Sequence, residues 1–128
     1  MNISRSSDAW KAAVLLILVF LFIMPGVARG HAYPDHAEPK VGATVTTPPA
    51  VVRIWFDSDL EPVFSSIMVH AAKDDVMVDK RDGRVDKSDP KLLEVSVPTL
   101  PPGEYIVYWN VVARDGHRTS GNYRFKIK

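Results

Sequence analysis

The chain has 128 residues, with 16 basic and 15 acidic side chains and no cysteine. Residues 1–30 contain three of the basic residues and one of the acidic ones, which leaves 13 and 14 in residues 31–128 and a net charge of −1 there. This balance argues against nucleic acid or an anionic membrane surface as a partner. The lack of cysteine excludes disulfide bonds and thiolate metal ligands, so any metal site must use nitrogen and oxygen donors, with methionine as the remaining sulfur donor.

The first 30 residues have the three-part pattern of a secretory signal peptide. Arg5 and Lys11 give a positive start, residues 12–24 are all apolar, and Ala28 and Gly30 occupy the small-residue positions of a cleavage site. The apolar run would make a helix roughly 20 Å long, short of a hydrocarbon core of about 30 Å, so a retained membrane anchor is the less favoured alternative. We expect cleavage after Gly30, export, and no stable membrane insertion afterwards.

Residues 31–128 have the length of one small domain, and their pattern indicates an all-β sandwich. Short runs of β-forming residues alternate with turn residues about every ten positions, and no run has helical periodicity. The predicted strands are residues 41–45, 51–56, 64–71, 77–78, 92–97, 104–113 and 122–127.

The longest predicted strand carries the predicted centre of the core. Side chains two apart in a strand point to the same face, which places Tyr105, Val107, Trp109 and Val111 together. Tyr105 also follows a Leu-Pro-Pro-Gly segment in the manner of a tyrosine corner, whose hydroxyl bonds to upstream backbone. The other predicted inward-facing residues are Val52, Ile54, Phe56, Phe64, Ile67, Val69, Leu93, Val95, Val97, Tyr123, Phe125 and Ile127.

Cleavage after Gly30 would make His31 the first residue of the mature protein. A terminal histidine can offer both its α-amine and its ring Nδ1 to one metal ion, so one residue would supply two donors. Asp115-Gly116-His117 directly follows the longest predicted strand, and residues two apart in an extended chain project to the same side. Taken alone, this tripeptide is also compatible with an ordinary Asp-Gly turn bearing a surface histidine. Together with His31, it completes a set of three nitrogens and one oxygen.

A donor set of three nitrogens and one oxygen suits Cu(II), which prefers square-planar or tetragonal N,O coordination. Zinc could use the same donors in a tetrahedral arrangement and remains the alternative metal. His36, in a proline-rich segment, could approach the ion axially, whereas His70 is predicted to be a plain surface residue.

The candidate ligands belong to a series of short motifs distributed over residues 31–128. They are His31-Ala32, Pro39 with Gly42, Val52-Arg53-Ile54 with Phe56, Phe64-Ser65, Gly103-x-Tyr105-x-Val107-x-Trp109, Val111-Val112, Asp115-x-His117, Gly121 and Phe125. In this combination the chain resembles the CopC family of periplasmic copper-binding proteins over essentially the whole region after Gly30. The resemblance implies a seven-stranded Greek-key sandwich of the immunoglobulin-like or cupredoxin-like kind.

The resemblance also implies a function and a ligand set. It implies a non-catalytic carrier that binds one Cu(II) per mature chain through His31, Asp115 and His117, in copper resistance or homeostasis, with a CopD-like inner-membrane copper transporter as recipient. We expect the carrier to be a monomer. Some CopC proteins have a second, methionine-rich Cu(I) site, but residues 71–84 contain a single methionine, Met77, so no such site is predicted.

Two other functions are compatible with the sequence. Lytic polysaccharide monooxygenases also begin at a mature histidine and bind copper through an amine and two imidazoles, but they keep a coordination position open that Asp115 would fill here. An immunoglobulin-like adhesion module would contain these histidines without any metal.

Overall fold

A computed structural model describes residues 10, 11, 13, 14 and 31–128. Most of the predicted signal peptide, including its cleavage junction at Gly30, lies outside the described residues. Among the residues that are described, no helix is long and apolar enough to cross a membrane.

Residues 31–128 form an all-β sandwich, which confirms the predicted fold class. One sheet has the strand order β1-β3-β7-β6 and the other β2-β9-β8-β4-β5. All neighbouring strands are antiparallel except β2 and β9, which pair in parallel. The strands are β1 (Pro34–Glu38), β2 (Thr44–Val45), β3 (Val51–Phe56), β4 (Ser66–Ala71), β5 (Val76–Met77), β6 (Arg84–Val85), β7 (Leu92–Ser96), β8 (Gly103–Val112) and β9 (Arg118–Ile127), and a 3-10 turn spans Pro62–Phe64.

The core lies between the two sheets and contains nearly all of the residues predicted for it. Val52, Val95, Val107 and Val111 are fully buried, and Trp109 is partly buried against this cluster. The hydroxyl of Tyr105 donates a hydrogen bond to the carbonyl oxygen of Pro101 at 2.6 Å, so the predicted tyrosine corner is present. This contact fixes the end of the sandwich from which β8 begins.

Several local predictions were wrong, and residues 31–128 form nine strands instead of seven because the short edge strands β1 and β6 were not predicted. Phe64 is exposed rather than buried, because Pro62 begins a 3-10 turn that carries the chain past the end of the sheet before β4 starts. Residues 34–38 form an edge strand that was not predicted, since their side chains are polar or exposed apart from Ala37. The last strand begins at Arg118 instead of Asn122, because its polar first residues continue the pairing with β8.

The close approach of an indole ring explains why a glycine is required at position 121 in β9. Gly121 pairs with Trp109 across the sheet, and a Cβ at this position would lie 2.6 Å from Cζ2 of the indole. That indole also packs edge-on against Phe56, with ring centroids 5.3 Å apart.

We therefore expect Gly121→Ala to lower the free energy of unfolding by about 1–3 kcal/mol, the usual cost of overpacking. Ser120→Ala, at the exposed neighbouring position, should stay within about 0.5 kcal/mol of the parent. Chemical denaturation of the two variants measures this difference. Equal free energies of unfolding would show that Trp109 can move aside without cost.

Candidate metal centre

The turn between β8 and β9 carries two of the three predicted ligands. The backbone N–H of Ala113 donates to the carbonyl of His117 at 2.9 Å, and the N–H of Gly116 donates to the carbonyl of Ala113 at 2.8 Å. Gly116 has a φ of +90°, a conformation that favours glycine. The turn is thus held by its own backbone, and it fixes where Asp115 and His117 lie.

Asp115 and His117 face each other closely enough to share one ion. The backbone N–H of His117 donates to Oδ1 of Asp115 at 3.0 Å, while its ring Nδ1 lies 3.1 Å from Oδ2. Two ligand atoms at right angles around an ion, each bonded at 2.0–2.2 Å, are themselves roughly 3 Å apart. Nδ1 is buried and has no hydrogen bond of good geometry among the described residues.

His31 lies beside this pair although it is far away in sequence. The rings of His31 and His117 have centroids 4.6 Å apart and planes inclined at 83°. A ring centroid lies about 3.2 Å from an ion bound ~2.0 Å from one of its nitrogens, so two rings bound at right angles have centroids roughly 4.5 Å apart. The observed spacing is therefore compatible with adjacent coordination positions on one ion.

The electrostatics of the turn keep Asp115 ionised. The backbone hydrogen bond from His117 lowers the pKa of Asp115, and interactions with the His117 and His31 side chains lower it further, against a smaller opposing effect of desolvation. The carboxylate is consequently an anionic oxygen donor at neutral pH.

The side chains alone do not complete a metal site. The described residues contain no group of three histidine, aspartate or glutamate side chains arranged to hold a metal ion. The donor set predicted from the sequence also includes the α-amine of His31, which exists only when the chain begins at that residue. In the full chain this nitrogen belongs to the amide bond with Gly30.

Two residues that the sequence did not single out hold the segment after His31. The hydroxyl of Thr119 donates to the carbonyl oxygen of Ala32 at 2.6 Å. The N–H of Tyr33 donates to Oδ1 of Asp57 at 2.8 Å, and the N–H of Asp57 donates to the carbonyl of Tyr33 at 3.0 Å.

The other two histidines of the described region lie elsewhere. His36 stacks on Trp55, with ring centroids 4.4 Å apart and planes inclined at 9°, and its Nδ1 lies 2.9 Å from Asp35. His70 is not the plain surface residue that was predicted, because its side chain is only 18% exposed. It packs edge-on against Tyr108, and its Nδ1 lies 2.9 Å from Asp75.

The fold and the clustered donors together define a β-sandwich with a candidate metal centre at one end. Residues 35–128 match the CopC domain, and the chain belongs to the CopC family. Among curated proteins, it is 32% identical over 114 residues to Protein YobA of Escherichia coli, covering 89% of this chain and 91% of YobA. It is 31% identical over 114 residues to the Copper transport protein CutJ of Bacillus subtilis, covering 88% of this chain but 21% of CutJ.

Solved structures agree with this assignment. CopC from Methylosinus trichosporium OB3b is 28% identical with a TM-score of 0.71, and the match covers 77% of this chain and 94% of that one. PcoC, a methionine-rich copper resistance protein from Escherichia coli, is 26% identical with a TM-score of 0.66, covering 77% of this chain and all of PcoC. The expected resemblance to the CopC family is therefore confirmed.

Proposed function

We propose that this protein is a non-catalytic, periplasmic carrier of Cu(II) in copper homeostasis or resistance. The observation that carries the proposal is that the ring of His31 packs against His117, whose Nδ1 lies 3.1 Å from Asp115, at one end of a CopC-family sandwich. Copper is the cargo of this carrier. After cleavage before His31, the donors to the ion would be the α-amine and ring of His31, Nδ1 of His117 and a carboxylate oxygen of Asp115.

This donor set favours copper and favours binding over catalysis. Nitrogen and oxygen ligands in a tetragonal arrangement suit Cu(II), which also binds such sites more tightly than the other divalent first-row metals do. Zinc is the expected competitor. With four protein donors around the ion, no coordination position in that plane is left for a substrate. Asp115 distinguishes this set from an amine with two imidazoles, the set used by copper-dependent oxidative enzymes.

The comparisons also support a role in copper traffic. A segment similar to this chain makes up about a fifth of the copper transport protein CutJ. We propose a CopD-like membrane transporter as the recipient and a monomeric carrier. The second, Cu(I) site is not proposed, since residues 31–128 contain two methionines, Met68 and Met77.

Equilibrium dialysis against Cu(II) tests this function directly. Protein beginning at His31 should retain one Cu(II) per chain, and the double variant Asp115→Ala/His117→Ala should lose this binding at micromolar copper. His36→Ala is the matched control, because that ring stacks on Trp55 and should not affect retention.

Two results would contradict the function. If the parent protein retained no copper, the fold would be that of a metal-free immunoglobulin-like module. If the copper-loaded protein oxidised polysaccharides with peroxide at catalytic turnover, it would be an enzyme instead of a carrier.

A further inference from the structure

We infer that Thr119 and Asp57 are positioning residues that hold the backbone after His31, so that the chain terminus is already aligned on the turn before copper binds. This inference rests on the proposed function, since it concerns the same donor set. It identifies two residues that would not contact the metal and assigns them a measurable part in its affinity.

Thr119 couples the terminal segment to a predicted ligand. It is the second residue of β9 and lies two residues after His117, which immediately precedes the strand. The hydroxyl donates to the carbonyl oxygen of Ala32 at 2.6 Å, across 87 residues of sequence. Because Ala32 is fully buried, its carbonyl needs a partner inside the protein.

Asp57 holds the next residue from the other sheet. It follows β3 directly, and it both accepts from the N–H of Tyr33 and donates its own N–H to the carbonyl of Tyr33. The hydroxyl of Ser58 donates to the same carboxylate oxygen at 3.2 Å, which helps to orient it.

The two contacts restrain the terminus from opposite sides. Thr119 belongs to the sheet that contains β8 and β9, and Asp57 extends from the sheet that contains β1 and β3. With Ala32 and Tyr33 both fixed, His31 is a single residue beyond a rigid support, and its ring already lies next to His117. A terminus without these contacts would have to be ordered when copper binds, which would weaken the affinity.

The test replaces Thr119 in protein that begins at His31. Thr119→Val keeps the shape but removes the donor, and we expect Cu(II) affinity to fall about tenfold, as for other groups that orient metal ligands. Thr119→Ser keeps the hydroxyl and should bind within about twofold of the parent. Thr99→Val, on the exposed loop before β8, is the matched control and should leave the affinity unchanged.

A second readout is independent of copper. In the metal-free protein, backbone NMR order parameters at Ala32 and Tyr33 should fall from about 0.85 to below about 0.6 in Thr119→Val but not in Thr119→Ser. Asp57→Ala should lower the backbone order parameter of Tyr33. Asp57→Asn keeps a side-chain acceptor for the N–H of Tyr33 and should leave that order parameter unchanged.

The two readouts separate the inference from the proposed function. If the parent binds no copper, the proposed function fails, and the order parameters still decide whether Thr119 holds the terminus. If Thr119→Val retains both parental affinity and an ordered Ala32, or if Thr119→Ser loses affinity as Thr119→Val does, the positioning role is wrong.

Discussion

Protein that retains residues before His31 is expected to bind Cu(II) at least about 100-fold more weakly than protein that begins at His31, a loss of roughly 2.7 kcal/mol. The lone pair of an amide nitrogen is delocalised into its carbonyl group, so it is a far poorer ligand than that of an amine. An extension therefore removes one donor and also prevents the amine and the ring from binding the ion together.

A competition titration with a chelator of known affinity measures this loss. The extension should be four residues, Gly-Ser-Gly-Ser, placed directly before His31, because a histidine at position three would form a new copper site with the terminal amine and two backbone amides. The same four residues added after Lys128 serve as the control, because β9 runs away from the turn that carries Asp115 and His117. Equal affinity of the two extended proteins would refute the role of the terminal amine.

The terminal amine would also determine where copper is bound. If the amine is a ligand, the unprocessed chain lacks one of the four donors and the site is completed by cleavage. Copper loading would then follow export. In the full chain the ring of His31 already packs against His117.

His31→Ala is expected to weaken Cu(II) binding by about 100-fold and His117→Ala by about tenfold. Removing the ring of His31 breaks a chelate in which one bound donor holds the other at high effective concentration. Removing the ring of His117 takes away a donor that is held independently by the turn.

The same titration compares these variants, and His36→Ala is again the control. Circular dichroism should show that all three remain folded, because none of these side chains belongs to the buried core. Equal losses for His31→Ala and His117→Ala would contradict the chelate. A comparable loss for His36→Ala would add an axial ligand that the stacking on Trp55 does not suggest.

The central strands could be predicted because hydrophobic residues occupy every second position along them. Tyr105, Val107 and Val111 follow the two-residue period of a strand with one buried face, and the structure buries all three. The edge strand β1 could not be predicted in this way, since its side chains are mostly exposed and its pairing with β3 is made by backbone groups. Phe64 was misplaced because hydrophobicity alone does not reveal that Pro62 turns the chain out of the sheet.

The candidate site was only partly predictable for a similar reason. Asp115-x-His117 is a local motif, and the small residues before His31 predict a chain terminus there, so both predictions could be made from the sequence. Thr119 and Asp57 act on backbone groups 87 and 24 residues away. Such contacts depend on the packing of the two sheets and leave no local signature.

Electron paramagnetic resonance of Cu(II) bound to protein beginning at His31 tests the central claim most directly, because its hyperfine pattern counts the coordinated nitrogens. The predicted spectrum is tetragonal with three nitrogen ligands, and one of the three should be lost in protein with Gly-Ser-Gly-Ser before His31. A spectrum with fewer nitrogens, or the same spectrum for both proteins, would contradict the proposed centre.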